Sequence, residues 1–120
     1  MKEEPLRAVV IFRKIKGMVK AEAEFHYGNA YFSTNEAHQP KLPNNVEILR
    51  DSKKEKQILD LFDTYRYQKI DTGFEKKLPV KENLYYFFKV EIEEFRRYAE
   101  VRMGKKLRQL YLDGEEFQPT

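Results

Sequence analysis

Val19-Lys20-Ala21-Glu22-Ala23-Glu24-Phe25-His26-Tyr27 is the stretch that decides the fold. Apolar and polar residues alternate at every step across it. Side chains of a strand point to opposite faces in turn, so this pattern specifies a strand with one buried and one wet face. Val19, Ala21, Ala23, Phe25 and Tyr27 take the buried face, and Lys20, Glu22, Glu24 and His26 take the wet one. Upstream, Leu6 to Ile15 is apolar at both parities, with Leu6, Ala8, Val10 and Phe12 on one and Val9, Ile11 and Ile15 on the other. A strand apolar on both faces lies inside its sheet. Lys16-Gly17 supplies the turn between these two strands. Gly28-Asn29 supplies the next, and Ala30 to Ser33 returns as a third strand. Residues 6–34 therefore read as an antiparallel β-meander.

The rest of the chain extends this scaffold. Residues 35–45, with Pro40, Pro43 and His38, read as an irregular loop, and Val46 to Leu49 as a short fourth strand. Ser52 and Glu55 have the spacing of a capping box, and Ile58, Leu59, Leu61, Phe62 and Tyr65 follow with helical periodicity. The expected helix is 52–66, with Lys53 and Lys54 in a first turn where the helix dipole disfavours cations. Within it, Gln57-Ile58-Leu59-Asp60-Leu61-Phe62 resembles the short peptides that dock on bacterial sliding clamps, with one extra residue between the Gln and the Leu-Phe pair. The same residues also form the core face of the helix.

The segment 84–111 supports more than one conformation. Leu84, Tyr86, Phe88, Val90 and Ile92 alternate like a strand, while Leu84, Phe88, Ile92, Phe95, Ala99, Met103, Leu107 and Leu110 fall on one helical stripe. Aromatic and β-branched density favours a strand over 84–92 followed by a helix over 93–111. One long helix from Pro79, or a hairpin turning at Gly104, are the rivals. Asp113-Gly114 reads as a turn. The expected fold is α+β: an antiparallel sheet of four to five strands with two helices packed on one face. It is expected to be a single domain over residues 1–120, with 1–5 and 115–120 as loose tails.

Composition narrows the function classes. A chain of 120 residues buries about two-thirds of the surface its unfolded form exposes, enough for a real core. There is no Cys, which removes disulfides, Cys-ligated metals and thiol catalysis and fits a reducing, cytoplasmic setting. No apolar run is long enough for a membrane span. Abundant Lys, Glu and Arg give the chain a thermophile-like composition. Nucleophile-elbow and phosphate-loop motifs are absent, so no cofactor is expected. Asp71, Glu75 and Lys77 make a faint metal-nuclease pattern, and His26 beside Glu22 and Glu24 a faint metal-binding one. Both are common by chance in a chain this charged, and no metal ligands are assigned.

Net charge is only +3, so any electrostatic role must come from clustering. Arg7, Arg13, Lys14, Lys16 and Lys20 fall between Pro5 and Ala21 with no acidic residue among them. Arg96, Arg97, Arg102, Lys105, Lys106 and Arg108 form a second cluster interrupted only by Glu100. On a helix, Arg97, Arg102, Lys105 and Arg108 share one arc opposite an apolar one. A basic hairpin and a basic amphipathic helix are expected to bind RNA or single-stranded DNA through phosphates, without catalysis. Tyr27, Tyr31 and Phe32 are candidates for base stacking. The alternative is a protein-interaction module with no nucleic-acid role, a homodimer paired through the aromatic strand 84–92. Tyr85, Tyr86, Phe87 and Phe88 would then form the interface.

Overall fold

The computed structural model describes residues 4–38, 40–42 and 47–116, the last three as backbone only. β1 (Leu6–Ile15) and β2 (Met18–Tyr27) pair antiparallel along their whole length, Leu6 opposite Tyr27 and Ile15 opposite Met18. Their turn is two residues long, with φ of 50° at Lys16 and 65° at Gly17. Positive φ at both central positions is the geometry that matches the right-handed twist of paired strands. β3 (Ala30–Ser33) completes the expected meander on the C-terminal half of β2.

The sheet grows on both sides of this pair. β4 (Gln68–Ile70) and β5 (Gly73–Lys77) form a hairpin that joins the N-terminal half of β2, Phe74 opposite Ala21 and Lys77 opposite Met18. β3 and β5 thus share one edge of β2. On the other side, β6 (Glu100–Met103) lies parallel to β1, Val9 opposite Glu100 and Phe12 opposite Met103. The sheet has six strands and is mixed, where four to five antiparallel strands were expected. β4, β5 and β6 have three to five residues each, too short for their periodicity to stand out. Of the expected fourth strand over 46–49, Val46 lies outside the described residues, and 47–49 form no strand.

The helices lie on one face, as expected. They are α1 (Ser52–Thr64), a continuous helix over 81–96 and α4 (Lys105–Glu116). The middle helix consists of α2 (Lys81–Tyr86), a π-helical turn (Phe87–Glu91) and α3 (Ile92–Arg96). They cover the face of β1 and β2 that carries Ala8, Val10, Phe12 and the alternating residues Val19 to Tyr27, all buried. Ala21 and Ala23 keep this face flat enough for large rings to approach. Phe62 of α1 is fully buried there, 4.0 Å from Phe74, 4.8 Å from Phe95 and 5.3 Å from Tyr67 between ring centroids. Ile58 and Leu61 are buried beside it, so most apolar anchors of the clamp-like peptide belong to the core.

Three local expectations are corrected. First, α1 is capped by Asp51, whose carboxylate accepts from the Lys54 N–H, and not by Ser52 with Glu55. A carboxylate suits the positive end of the helix better than a hydroxyl. Second, 84–92 is helix, not strand. The π turn inserts a residue into the helical repeat, so that neighbouring Phe87 and Phe88 both turn inward with Glu91, Ile92 and Phe95. Two adjacent buried aromatics mimic a strand buried on both faces. Third, the expected helix over 93–111 is broken by β6 at 100–103. α4 then continues through Asp113-Gly114, where a turn was expected, and takes in Glu115 and Glu116.

α1 ends two residues before the expected 66. Tyr67 N–H bonds to Phe62 O and Arg66 N–H to Asp63 O, with Arg66 at φ 64°. These bonds form the Schellman motif, with Arg in the left-handed position where Gly is usual.

Gly73 has φ 131°, and a Cβ built there would stand 2.3 Å from Ala21 O. Backbone on the facing strand cannot yield that distance. Gly73→Ala is therefore expected to cost about 2–3 kcal/mol, read as a lower midpoint in urea denaturation with the slope unchanged. An unshifted midpoint would mean that β5 does not lie this close to β2.

Candidate nucleic-acid interface

The parallel pairing of β6 with β1 decides where the basic residues go. Met103 is opposite Phe12, and the next residue, Gly104, donates its N–H to Phe12 O at 2.8 Å. Beyond this point β1 runs into its turn and β6 into α4. Lys14 and Lys16 of the hairpin are thus brought to the same end of the sheet as Lys105 and Lys106 in the first turn of α4. Lys77 joins them, because it pairs with Met18 and the adjacent Leu78 N–H bonds to Gly17 O at 2.9 Å. None of these five lysines has an ion-pair partner among the described residues. Lys77 was absent from the basic clusters read in sequence, since only the pairing of β5 with β2 brings it here.

Other predicted contacts are already neutralised. On the open face of the sheet, Arg13 lies 2.7 Å from Glu22, Lys20 3.2 Å from Glu75, and Arg7 3.5 Å from Glu100. Arg102 sits on β6 at 2.6 Å from the same Glu100. Arg97 caps the far end of α3, with the whole of β6 between it and Lys105. The expected basic arc of Arg97, Arg102, Lys105 and Arg108 therefore does not exist as one helix face. Lys105 and Arg108 alone share α4. The same face holds Glu24 at 3.0 Å from His26, and Glu22, buried, at 3.4 Å from His38. It is a lattice of paired charges, not a cationic platform. Among the described residues no three His, Asp or Glu side chains gather as metal ligands would.

The aromatic candidates also separate. Tyr27 is 1% exposed, and its hydroxyl is held between the Glu55 carboxylate and the Asp51 N–H, so it offers no face to a base. Phe32 is covered by the Arg50 guanidinium at 3.8 Å. Tyr31 is half-buried and stacked on His26 with ring centroids 5.4 Å apart. These residues lie at the end of β2 away from the lysines, about 25 Å off at the rise of a strand. Of the proposed interface residues, Phe87 and Phe88 are buried in the core, while Tyr85 and Tyr86 are exposed on a helix. Among the described residues, 84–92 therefore offers no aromatic strand edge through which a second copy could pair.

Acids on the helix side are met by tyrosines: Glu55 and Glu91 are buried and Glu94 is half-buried. Tyr27 donates to Glu55, which also accepts two bonds from Arg50. Burial, then the Glu55 carboxylate, pushes the Tyr27 hydroxyl up to about 12. Tyr65 donates to Glu94. Tyr67 donates to Glu91 at 2.6 Å, and Lys76 lies 2.6 Å from the other oxygen of Glu91. Burial raises Glu91 above the usual carboxylate range, with Lys76 and Tyr67 pulling the other way. Glu91 is presented by the π turn, and neither its register nor its partner Lys76 was legible in sequence.

The model of the family described as bacterial SNF2 helicase associated matches residues 1–120, and the chain belongs to that family. No curated protein and no solved structure matches it. No helix among the described residues is long and apolar enough to cross a membrane.

The raised Glu91 fixes the sign of a pH effect. The folded state binds this proton more tightly than the unfolded one, so the Glu91 contribution is complete below the usual value of 4.5 and is lost as pH rises through the folded value. Glu91→Gln is expected to remove that slope, measured as urea midpoint against pH. Because it leaves Lys76 without its carboxylate, it also costs about 2–4 kcal/mol near neutral pH.

Proposed function

We propose that this chain is a nucleic-acid-contacting accessory module of a helicase system, which grips phosphates through the basic end of its sheet. The observation that carries this reading is the gathering of Lys14, Lys16 and Lys77 with Lys105 and Lys106 at one end of the sheet, where no carboxylate among the described residues pairs with them. Lys105 and Lys106 stand at the positive end of a helix dipole, an unfavourable place for cations that an anion relieves. Lys16 occupies a left-handed backbone position that disfavours any residue with a Cβ. Charge repulsion and strain are thus concentrated where a polyanion would release the former. Family membership supplies the setting.

The contacts would be to phosphate and largely indifferent to sequence. The finer expectation of RNA or single-stranded DNA loses its original support, because Tyr27, Tyr31 and Phe32 lie away from the lysines. A second reading, contact with a protein or a second copy, is favoured by the exposed apolar side chains Val80, Tyr85 and Val90 on and beside the middle helix. Sedimentation equilibrium of the wild type and Val90→Arg tests it: a monomer in both removes the homodimer.

Fluorescence anisotropy with single-stranded and duplex oligonucleotides across a salt series tests the main reading. If three to five lysines meet phosphates, log K falls against log salt with a slope of roughly −2 to −4. Lys16→Glu combined with Lys105→Glu is expected to weaken all sequences alike and to flatten the slope by about 2. Absent binding at low salt, or a slope that the double variant leaves unchanged, overturns the proposal.

A further inference from the structure

Beyond the lysines, a cleft of about 280 Å³ opens between the end of α1 and the middle helix. Its floor is the Lys76–Glu91 pair, and Pro79, Asn83, Tyr86 and Arg66 line it. That volume sits at the low end of small-molecule sites, roughly 300 Å³ and upward, and suits one ring system better than a larger ligand or a peptide segment.

Several features converge on this cleft. The π turn that offers Glu91 to its floor is a device often found at functional sites. Arg66, on the rim, is a non-glycine residue held at φ 64° in the Schellman position. Strain of this kind persists where surrounding structure enforces it, and it clusters at ligand clamps. The Arg66 guanidinium and the Asn83 amide make no hydrogen bond or ion pair with other side chains among the described residues. Tyr86 is 54% exposed although aromatic. The acids nearby are closed off: Glu91 is held by Lys76 and Tyr67, and Glu94 by Tyr65. An incoming phosphate therefore meets a free cation and no free carboxylate of this group. Pro79 follows Leu78, which is tied to the hairpin turn at Gly17, so the cleft adjoins the basic end.

We propose that this cleft takes one unpaired nucleobase: Tyr86 and Pro79 cover its face, the Asn83 amide reads its hydrogen-bonding edge, and Arg66 holds the adjoining phosphate. The inference rests on the nucleic-acid reading for its context, but it concerns a different set of residues. It restores a preference for unpaired strands by a route that the meander aromatics do not provide. An amide carries one donor and one acceptor side, which matches the edge of a base. An aromatic face accepts any base, so the pocket would favour single strands without strong sequence preference.

The test has two parts. In the first, anisotropy compares a single-stranded oligonucleotide with one of equal length in which the bases are removed. The wild type is expected to favour the intact strand by about tenfold, and Tyr86→Ala or Asn83→Ala to lower that preference to near unity. In the second, heteronuclear NMR follows a thymidine monophosphate titration, with shifts expected at Asn83, Tyr86 and Arg66 and not at Lys16 or Lys105. Arg66→Gly relieves the backbone strain, so its thermal midpoint is expected to hold or rise while the nucleotide shifts weaken; a purely structural Arg66 would leave those shifts intact. Equal affinity for intact and abasic strands together with no nucleotide shifts overturns the pocket, even if salt-dependent binding persists. Loss of salt-dependent binding with the nucleotide shifts retained overturns the basic end instead. If N-acetyltyrosinamide shifts these residues and the nucleotide does not, the cleft reads a peptide side chain and the proposal falls.

Discussion

β1 is paired on both edges, and everything of functional interest follows from its second partner. Its antiparallel partner β2 follows after a two-residue turn, while its parallel partner β6 begins 85 residues further on, at Glu100 against the end of β1 at Ile15. Parallel pairing requires a crossover, and here α1 and the middle helix lie within it. Bringing Met103 opposite Phe12 closes the sheet around Val9 and Val10, both fully buried. It also sets the start of α4 against β1, at the end of the strand that leads into the hairpin turn. Gly104 shows how tight that meeting is: a Cβ there would stand 3.2 Å from Arg13 Cγ. The pairing that buries the middle of β1 is thus the one that gathers the lysines.

The helical layer is fastened by a repeated polar device. Tyr27 from β2 meets Glu55 from α1, while Tyr65 and Tyr67, at and just after the end of α1, meet Glu94 and Glu91 from the middle helix. Each is a phenol donating to a carboxylate, and the Glu55 and Glu91 carboxylates lie away from bulk water. Such bonds are stronger than neutral ones, and a buried carboxylate left without its donor bears its full desolvation cost. They therefore act as position markers between packed rings, selecting one arrangement of α1 and the middle helix over sliding alternatives. The tyrosines shift upward as a consequence, Tyr67 from burial first and Glu91 second.

How much was legible depends on how local each signal is. The alternation over 19–27 needs only its own residues, and the strand and its flanking turns came out as read. The same alternation already placed Tyr27 on the buried parity, so its candidacy for base stacking conflicted with the pattern that defined the strand. In 84–92 the failure was physical: a π turn shifts the helical phase by one residue, and no fixed period describes a segment that burys Phe87, Phe88, Glu91, Ile92 and Phe95 together. β6 was hidden because Ala99, just before it, and Met103, its last residue, continue the helical stripe through a four-residue strand. Lys77 acquires its place only through a pairing with a strand far along the chain, and Arg66 through a local cap that lacks the usual Gly.

The two non-glycine residues with positive φ among those described are Lys16 and Arg66, and both are basic. Glycine or asparagine would fill either position at lower cost. A left-handed residue with a side chain costs on the order of 1–2 kcal/mol relative to the relaxed backbone. Stability alone therefore does not account for a long cation at both places. What the two share is location: Lys16 is in the turn at the end of the sheet where α4 starts, Arg66 is on the rim of the cleft beside Pro79, and the Leu78–Gly17 hydrogen bond links the two regions. A rigid turn also fixes the direction in which its side chain leaves the backbone. For a phosphate ligand, two cations launched from fixed turns lose less freedom on binding than two on flexible loops. The strain at these positions is then the counterpart of a preorganised track from the basic end to the cleft, and it ties the fold's least comfortable residues to its proposed use.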